Sequence, residues 1–166
     1  MPYTPYHFAP SAFVGLALRK WIDLPVFVFA NVIVDIEVLF TSGHPYFHTL
    51  LLGGALGACW GLFAYQFKGL SGRLMHVLCI PYTTSLWKMI ISGILGVWFH
   101  VFTDAVYHSD NIRLFWPAKV RLPYWHITKG PAKAIFIAFF LAAIILYAMA
   151  VVSYVKQNKT DKIVEQ

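Results

Sequence analysis

The sequence predicts an all-α integral membrane protein with about four to five transmembrane or partly spanning helices and one interfacial segment. Of the 166 residues, 59% are hydrophobic and only 12% are charged, whereas soluble domains average about 25% charged residues. Several uninterrupted apolar runs approach or pass the roughly 20 residues that cross a bilayer. We therefore expect one membrane-embedded helical domain over residues 1–155 and a polar C-terminal tail over residues 156–166.

The first half of the chain is predicted to contain three helices. A short apolar helix over about 8–18 follows a Pro- and Tyr-rich lead-in and ends at two basic residues. The second helix covers about 24–40, and Pro25 suits its first turn. The polar stretch 41–48 contains Gly and Pro and is predicted to be a loop. The third helix, over about 49–67, has no charge, and its glycines at near-helical spacing permit close helix contact.

The second half is predicted to contain two helices separated by the interfacial segment. A loop over about 68–85 precedes a fourth helix over about 86–109. Residues 110–130 mix Arg and Lys with Trp, Tyr and Phe, a composition that suits the lipid headgroup region. A purely apolar fifth helix covers about 134–155 and leads into the tail, which we expect to be frayed.

Three ionisable residues share one face of the fourth helix. His100, Asp104 and His108 are spaced four residues apart, so each lies about one turn beyond the last. An Asp at the centre of a membrane helix costs about 2.5–3.5 kcal/mol, so these groups must face protein, water or a bound ion. Imidazole and carboxylate groups are ligands of zinc and related divalent metals. The alternative is a buried hydrogen-bond ladder in which Asp104 orients one imidazole.

Two more acidic residues lie near the end of the second helix. Asp35 and Glu37 are two positions apart and point to different faces, whereas Asn31 and Asp35 share one face. Either the helix unwinds near Asp35, or only one of the two acids is a metal ligand. Asp35 is the favoured ligand, and Glu37 is the candidate general base or a residue that orients a histidine.

The alternation of apolar runs brings the candidate ligands to one side of the membrane. If each helix crosses, this side holds the start of the first helix, the end of the second, the loop 41–48 and the end of the fourth. His7 and His48 join the acidic residues there, and His44 is a further candidate. The opposite side carries more Lys and Arg residues, so the positive-inside rule places the site on the extracytoplasmic side.

Several stretches of the sequence recur, in this order, in one known family. They are TPYHF at 4–8, NVIVDIE at 31–37, His44 with His48-Thr49, GVWFH at 96–100 through Asp104, and DNIRLFWP at 110–117. Over about residues 1–117 the chain resembles the prokaryotic inner-membrane metal-dependent hydrolase family that includes the YdjM-like proteins. The resemblance implies a multi-pass protein of the prokaryotic cytoplasmic (inner) membrane with hydrolase activity.

The chain departs from this family at two motifs. The family's acidic motif often reads Pro-Asp-x-Asp, where this chain has Val34-Asp35-Ile36-Glu37. Its basic motif often reads His-Arg-x-x-Thr-His-Ser, where this chain has HPYFHT at 44–49. At both motifs this chain keeps the residue types that could bind a metal, but it lacks the Arg of the family's basic motif. The pair His100 and Asp104 is also similar to the metal-ligand motif of zinc-dependent phospholipases C, which are helical proteins.

The leading hypothesis is a membrane-embedded hydrolase that holds one or two divalent ions, with zinc expected. The predicted metal ligands are His7, Asp35, His48, His100, Asp104 and His108, with His44, Asp110 and Asn31 as further candidates. Glu37 and Asp104 are the candidate catalytic residues. A lipid or lipid-linked phosphate ester is the expected substrate, because the site lies at membrane depth beside a cationic aromatic segment.

Other classes of function remain open or are excluded. A proton- or metal-ion-coupled transporter would use the buried acids and histidines as an ion path. A haem-binding electron carrier would need His100 to face a histidine on another helix. No nucleic-acid partner is expected, because the Lys and Arg residues lie at the ends of apolar runs, as membrane anchors do. His76 and His126 are expected to be structural.

Overall fold

The computed structural model of the protein describes residues 5–39, 46–107, 114–118 and 129–164. Over these ranges the chain is helical and has no strand, which confirms the all-α prediction. The helices are α1 (Pro5–Ala17), α2 (Leu24–Ile33), a 3₁₀ helix (Val34–Leu39), α3 (Leu50–Gln66), α4 (Lys68–Val77), α5 (Leu86–Tyr107) and α6 (Lys129–Val164).

Fewer helices than predicted meet the requirements of a full membrane span. Among the described residues, Leu86–Ala105 of α5 and Lys133–Gln157 of α6 are long and apolar enough to cross a membrane. The pair α3 and α4, bent by 80°, is a third span only if it counts as one broken helix. Helix α1 has 13 residues, so it is about 20 Å long against a hydrocarbon core of about 30 Å. Of the four to five transmembrane or partly spanning helices predicted, two to three of the described helices are thus long enough for a full span, and α1 is too short for one.

Two predicted boundaries are also wrong. The loop expected over 68–85 contains α4, because Leu70, Leu74 and Met75 recur at helical spacing and Met75 is buried. The basic residues and glycines between them had indicated a loop. The tail expected to fray after Lys156 continues as helix α6 to Val164, since the sequence between those two residues has no Pro or Gly to stop it.

The interfacial segment predicted over 110–130 lies mostly outside the described residues. Its described part, 114–118, forms a turn that packs back on the helices. The Leu114 side chain is buried beside Ala30 and Val97, and the Leu50 backbone N–H donates to the Leu114 carbonyl at 2.9 Å. This hydrogen bond ties the chain after α5 to the start of α3.

Glycines bring α3 and α5 into backbone contact. A Cβ on Gly57 would collide with the Gly93 backbone and lie 2.8 Å from the Ile94 Cα atom. A Cβ on Gly61 would lie 2.5 Å from the Ile90 Cα atom. The backbone of α5 can approach this closely only because these positions of α3 carry no side chain, so the glycines serve packing.

A buried carboxylate fixes α2 against α5 at the end of α5 that begins with Leu86. Asp23 caps α2 by accepting from the Val26 N–H at 3.2 Å, and its backbone N–H donates to Ser92 Oγ at 2.6 Å. The hydroxyls of Tyr82 and Thr84 each donate to Asp23 Oδ2 at 2.6 Å. Burial, together with the bond to this carboxylate, raises the pKa of Tyr82 above its ordinary value. The sequence reading did not single out Asp23.

The α3–α5 contact predicts opposite effects of two Gly→Ala substitutions. Gly57→Ala should lower the free energy of unfolding in detergent by about 1–3 kcal/mol, because the added methyl overlaps backbone that cannot move aside. Gly69→Ala is the matched control on α4, since a Cβ there meets nothing within 4 Å, and it should be neutral or slightly stabilising. Equal effects in thermal unfolding would contradict the close contact.

Candidate metal centre

Five ionisable side chains from four segments meet near one end of α5. His100 and Asp104 lie one turn apart on α5. His48 precedes α3, and Asp35 lies in the 3₁₀ helix after α2. His7 belongs to the first turns of α1. All five were predicted as metal ligands, and the structure brings them together.

Local structure explains how Asp35 and His48 reach the centre. Helix α2 ends at Ile33, so the chain does unwind at Asp35 into the tighter 3₁₀ helix. Thr49 caps α3 by accepting from the Leu52 N–H at 3.2 Å, and its hydroxyl donates to the Tyr46 carbonyl at 3.0 Å. This cap holds His48 at the start of α3.

Four donor atoms form the core of the centre. Asp104 Oδ2 lies 3.4 Å from His48 Nε2 and 3.3 Å from His100 Nε2. Asp35 Oδ1 lies 3.2 Å from His100 Nε2 and 3.7 Å from His48 Nε2. Ligands placed tetrahedrally at zinc bond lengths lie about 3.3–3.6 Å apart. Two imidazoles and two carboxylates at these separations could therefore hold a divalent metal ion.

The four donors are buried, so a bound cation would lower the electrostatic free energy of the cluster. The side chains of His48, His100 and Asp104 are 0% exposed, and that of Asp35 is 12% exposed. Both Asp104 oxygens and both His100 ring nitrogens are buried without a well-formed hydrogen bond among the described residues. Buried carboxylates without full compensation are costly. A divalent ion would neutralise the two carboxylates at the point where they converge.

The acids also act on His48, which lies just before α3. Burial alone would lower the pKa of this imidazole, but hydrogen bonding to Asp104 and Asp35 outweighs it, so the pKa of His48 is raised above its ordinary value. A proton and a metal ion therefore compete for the same nitrogen.

His7 lies beside the four donors rather than among them. Its Nε2 atom is 3.0 Å from Asp104 Oδ1, the carboxylate oxygen opposite the one that faces His48 and His100. Its ring stacks on His100 at 4.3 Å between centroids. Its Nδ1 atom is 3.0 Å from Thr103 Oγ1. His7 therefore positions the Asp104 carboxylate from the side away from the four donors.

The hydrogen bonds of Thr103 determine which group is the donor in its contact with His7. Its Oγ1 atom lies 2.7 Å from the His100 carbonyl and 3.0 Å from the Phe99 carbonyl, so the one hydroxyl proton is donated to the backbone. Oγ1 can then only accept, and Nδ1–H of His7 is the donor. The sequence reading missed Thr103, because a threonine inside an apolar helix carries no metal-ligand signal of its own.

Among the other candidate residues, those with described side chains do not join these contacts. Asn31 is buried one turn before Asp35, and its side-chain N–H donates to the Phe27 carbonyl within α2 at 2.9 Å. His76 is exposed on α4, where its ring contacts Tyr154. The backbone of Glu37 belongs to the 3₁₀ helix. Its side chain and the residues His44, His108, Asp110 and His126 lie outside the part of the chain that can be described.

Comparisons with known protein families, with curated proteins and with solved structures found no match to this chain. Its class therefore follows from the fold and the site alone. The chain is an all-helical protein with two to three helices apolar enough to cross a membrane, a feature compatible with a membrane protein. It carries a buried group of two Asp and two His residues that could hold a metal ion.

The centre predicts that one histidine is essential for metal binding and another is not. Zinc affinity of the detergent-purified protein, measured by competition with a chelator, should fall by more than about 100-fold in His100→Ala, beyond the loss typical of a supporting residue. His76→Ala is the matched control, because it removes an exposed histidine from α4, and it should bind zinc like the wild type. Stoichiometric zinc in His100→Ala would contradict the assignment.

The role of Thr103 predicts that its hydroxyl, not its shape, supports metal binding. Thr103→Val keeps the branched side chain but cannot accept from His7, so zinc affinity should fall by about 10–100-fold. Thr103→Ser restores the acceptor and should return the affinity close to the wild-type value. If Ser binds as weakly as Val, or Val as tightly as Thr, the hydrogen bond to His7 does not position the ring.

Proposed function

We propose that the protein is a membrane-embedded metal-dependent hydrolase whose metal ion is held by Asp35, His48, His100 and Asp104. The observation that carries the proposal is the convergence of their four donor atoms, at 3.2–3.7 Å, in a buried centre. The resemblance of residues 1–117 to the inner-membrane metal-dependent hydrolase family supports the same reaction class. We propose zinc as the metal because imidazole nitrogen and carboxylate oxygen are among its usual protein ligands.

Each residue of the centre has a distinct part in the proposed chemistry. When bound, a divalent ion supplies an activated water and polarises the bond to be cleaved. Asp104 bridges the donor cluster to His7, so its carboxylate is held from both sides. Asp35 is the only one of the four donors with an exposed fraction, 12% of its side chain. Substrate would therefore reach the centre past Asp35.

Glu37 is the proposed general base. It follows Asp35 by two residues in the same 3₁₀ helix, on the segment that leads out of the centre. A carboxylate at this position can take a proton from the attacking water without being a metal ligand. This division leaves Asp35 to bind the metal and Glu37 to move the proton.

A lipid or lipid-linked phosphate ester is the proposed substrate. Apolar side chains that directly follow two of the site residues are exposed: Phe8 after His7, and Ile36 after Asp35. Phe102, two residues before Asp104, is exposed as well. Apolar surface around a polar centre suits a substrate with an apolar body and a charged head. We further propose that the centre faces the extracytoplasmic side of a prokaryotic cytoplasmic membrane, the side that the distribution of Lys and Arg residues favours.

Hydrolysis of phosphatidic acid in vesicles, followed by release of inorganic phosphate, tests the proposal. The reconstituted protein should release phosphate, lose this activity on chelation and regain it with zinc. Glu37→Gln should keep its zinc and lose turnover by about 10²–10⁴-fold, because the amide keeps the shape but cannot accept a proton. Lys133→Gln, an exposed change on α6, is the control and should keep full activity.

Other outcomes would assign the centre differently. If chelation lowers the unfolding temperature while neither phosphatidic acid nor a lipid-linked phosphate is ever cleaved, the metal is structural and the hydrolase proposal is wrong. Zinc or proton flux across the vesicle membrane without turnover would favour a transporter. Loss of zinc in Glu37→Gln would make Glu37 a ligand, and full turnover in that variant would remove it from the reaction.

A further inference from the structure

A second site lies at the opposite end of α3 from the metal centre. An apolar groove of about 330 Å³ is formed where α2, α3 and α4 meet. Its lining includes Phe29, Trp60, Phe63, Ala64, Phe67 and Leu70. Trp60 is twelve residues beyond His48, which places the groove about 18 Å along the helix axis from the metal centre. None of its lining residues is one of the four donors of the metal centre.

The groove presents an apolar surface that a water-facing protein would not leave open. The side chains of Phe29, Phe63, Phe67 and Leu70 are each about half exposed or more. The one indole N–H in its lining is satisfied, because Trp60 Nε1 donates to the Val26 carbonyl at 3.1 Å. A ligand in this groove therefore gains contact through apolar atoms.

Helix α4 has the orientation and composition of a helix at the membrane surface. It turns by 80° from α3, which is long and apolar but ends at Gln66. Phe67, Leu70, Ser71 and Leu74 lie on the one face of α4 that lines the groove. A helix with one apolar face, lying across the end of a membrane helix, fits the interface plane.

Two cations border the groove and have no acidic neighbour in sequence. Lys68 and Arg73 are exposed and lie on either flank of the groove-lining face of α4. No Asp or Glu occurs between Glu37 and Asp104. The Asp23 carboxylate, which precedes α2, is buried and already accepts from Tyr82, Thr84 and Val26. Among the described side chains, those that flank this face of α4 with a charge are cations, the groups that attract lipid phosphates.

We propose that the groove binds an acyl chain of an anionic phospholipid whose phosphate is held by Lys68 and Arg73. The apolar walls take the chain, and the two cations select the charged headgroup over a zwitterionic one. The lipid anchors α4 at the membrane surface and fills the corner between α2 and α3. This inference rests on the membrane location in the proposed function and is independent of the metal and the reaction.

Native mass spectrometry of the detergent-purified protein, titrated with phosphatidylglycerol or phosphatidylcholine, tests the site. The wild type should bind one phosphatidylglycerol in preference to phosphatidylcholine. Lys68→Gln with Arg73→Gln should weaken phosphatidylglycerol binding by about 30-fold, because two cations near the surface are removed. Lys133→Gln with Lys156→Gln, an equal loss of charge on α6, should leave it unchanged.

Changes within the groove separate the acyl chain from the headgroup. Ala64→Trp fills the groove and should abolish retention of both lipids. Leu70→Gln changes an exposed side chain, so it should leave helicity by circular dichroism intact while weakening both lipids alike.

Equal binding of the two lipids by the wild type, or unchanged binding in Leu70→Gln and Ala64→Trp, would overturn the proposal. A dimer that dissociates when Ala64→Trp is introduced would show instead that a second copy covers the groove. A failed zinc or hydrolysis experiment would not alter these readouts, because they measure lipid mass alone.

Discussion

The buried carboxylate of Asp104 is the constraint on which the packing around the candidate metal centre depends. A carboxylate that is 0% exposed is tolerated only where positive or hydrogen-donating groups reach both of its oxygens. His48 and His100 face one oxygen and His7 faces the other. Because these histidines come from three different segments, a single acidic residue on α5 sets where α1, the start of α3 and α5 must meet.

The same helix carries a second polar centre at its other end, and an apolar zone separates the two. Ser92 lies at the Asp23 cluster and Asp104 at the metal centre, twelve residues or about 18 Å apart along α5. Between them α5 packs on α3 through Gly93 and Gly57. Close backbone contact leaves no room for polar side chains between these two helices at this point. Each polar cluster thus fixes one end of a rigid helix pair.

The two proposed sites use opposite physical principles. The metal centre concentrates charged donors where the described structure buries them, so that a cation adds electrostatic stabilisation. The groove under α4 concentrates apolar atoms and leaves its cations, Lys68 and Arg73, at the surface. Both sites lie along α3, with His48 just before its first residue and the groove at its far end.

The sequence by itself determined the helical class and the central pair of the site. The long apolar runs predicted helices. The spacing of His100 and Asp104 placed both residues on one face of α5, because a helix repeats every 3.6 residues. The alternation of runs also placed His7, Asp35 and His48 at the same end, which is where the structure has them. His108, His44 and Asp110 stay predictions, since they lie outside the described residues.

Only the tertiary structure decided the rest. Whether Asp35 points at the other donors depends on the change to a 3₁₀ helix after Ile33. The sequence left this change as one of two alternatives. Thr103 and Asp23 gain their roles from partners 59 to 96 positions away in sequence. Helix α4 was not predicted, because glycines and cations are common in loops. The packing of Met75 against its neighbours is evident only in the structure. Periodicity is a local property of the chain and can be read from it, whereas pairing between distant residues is settled only when the helices pack.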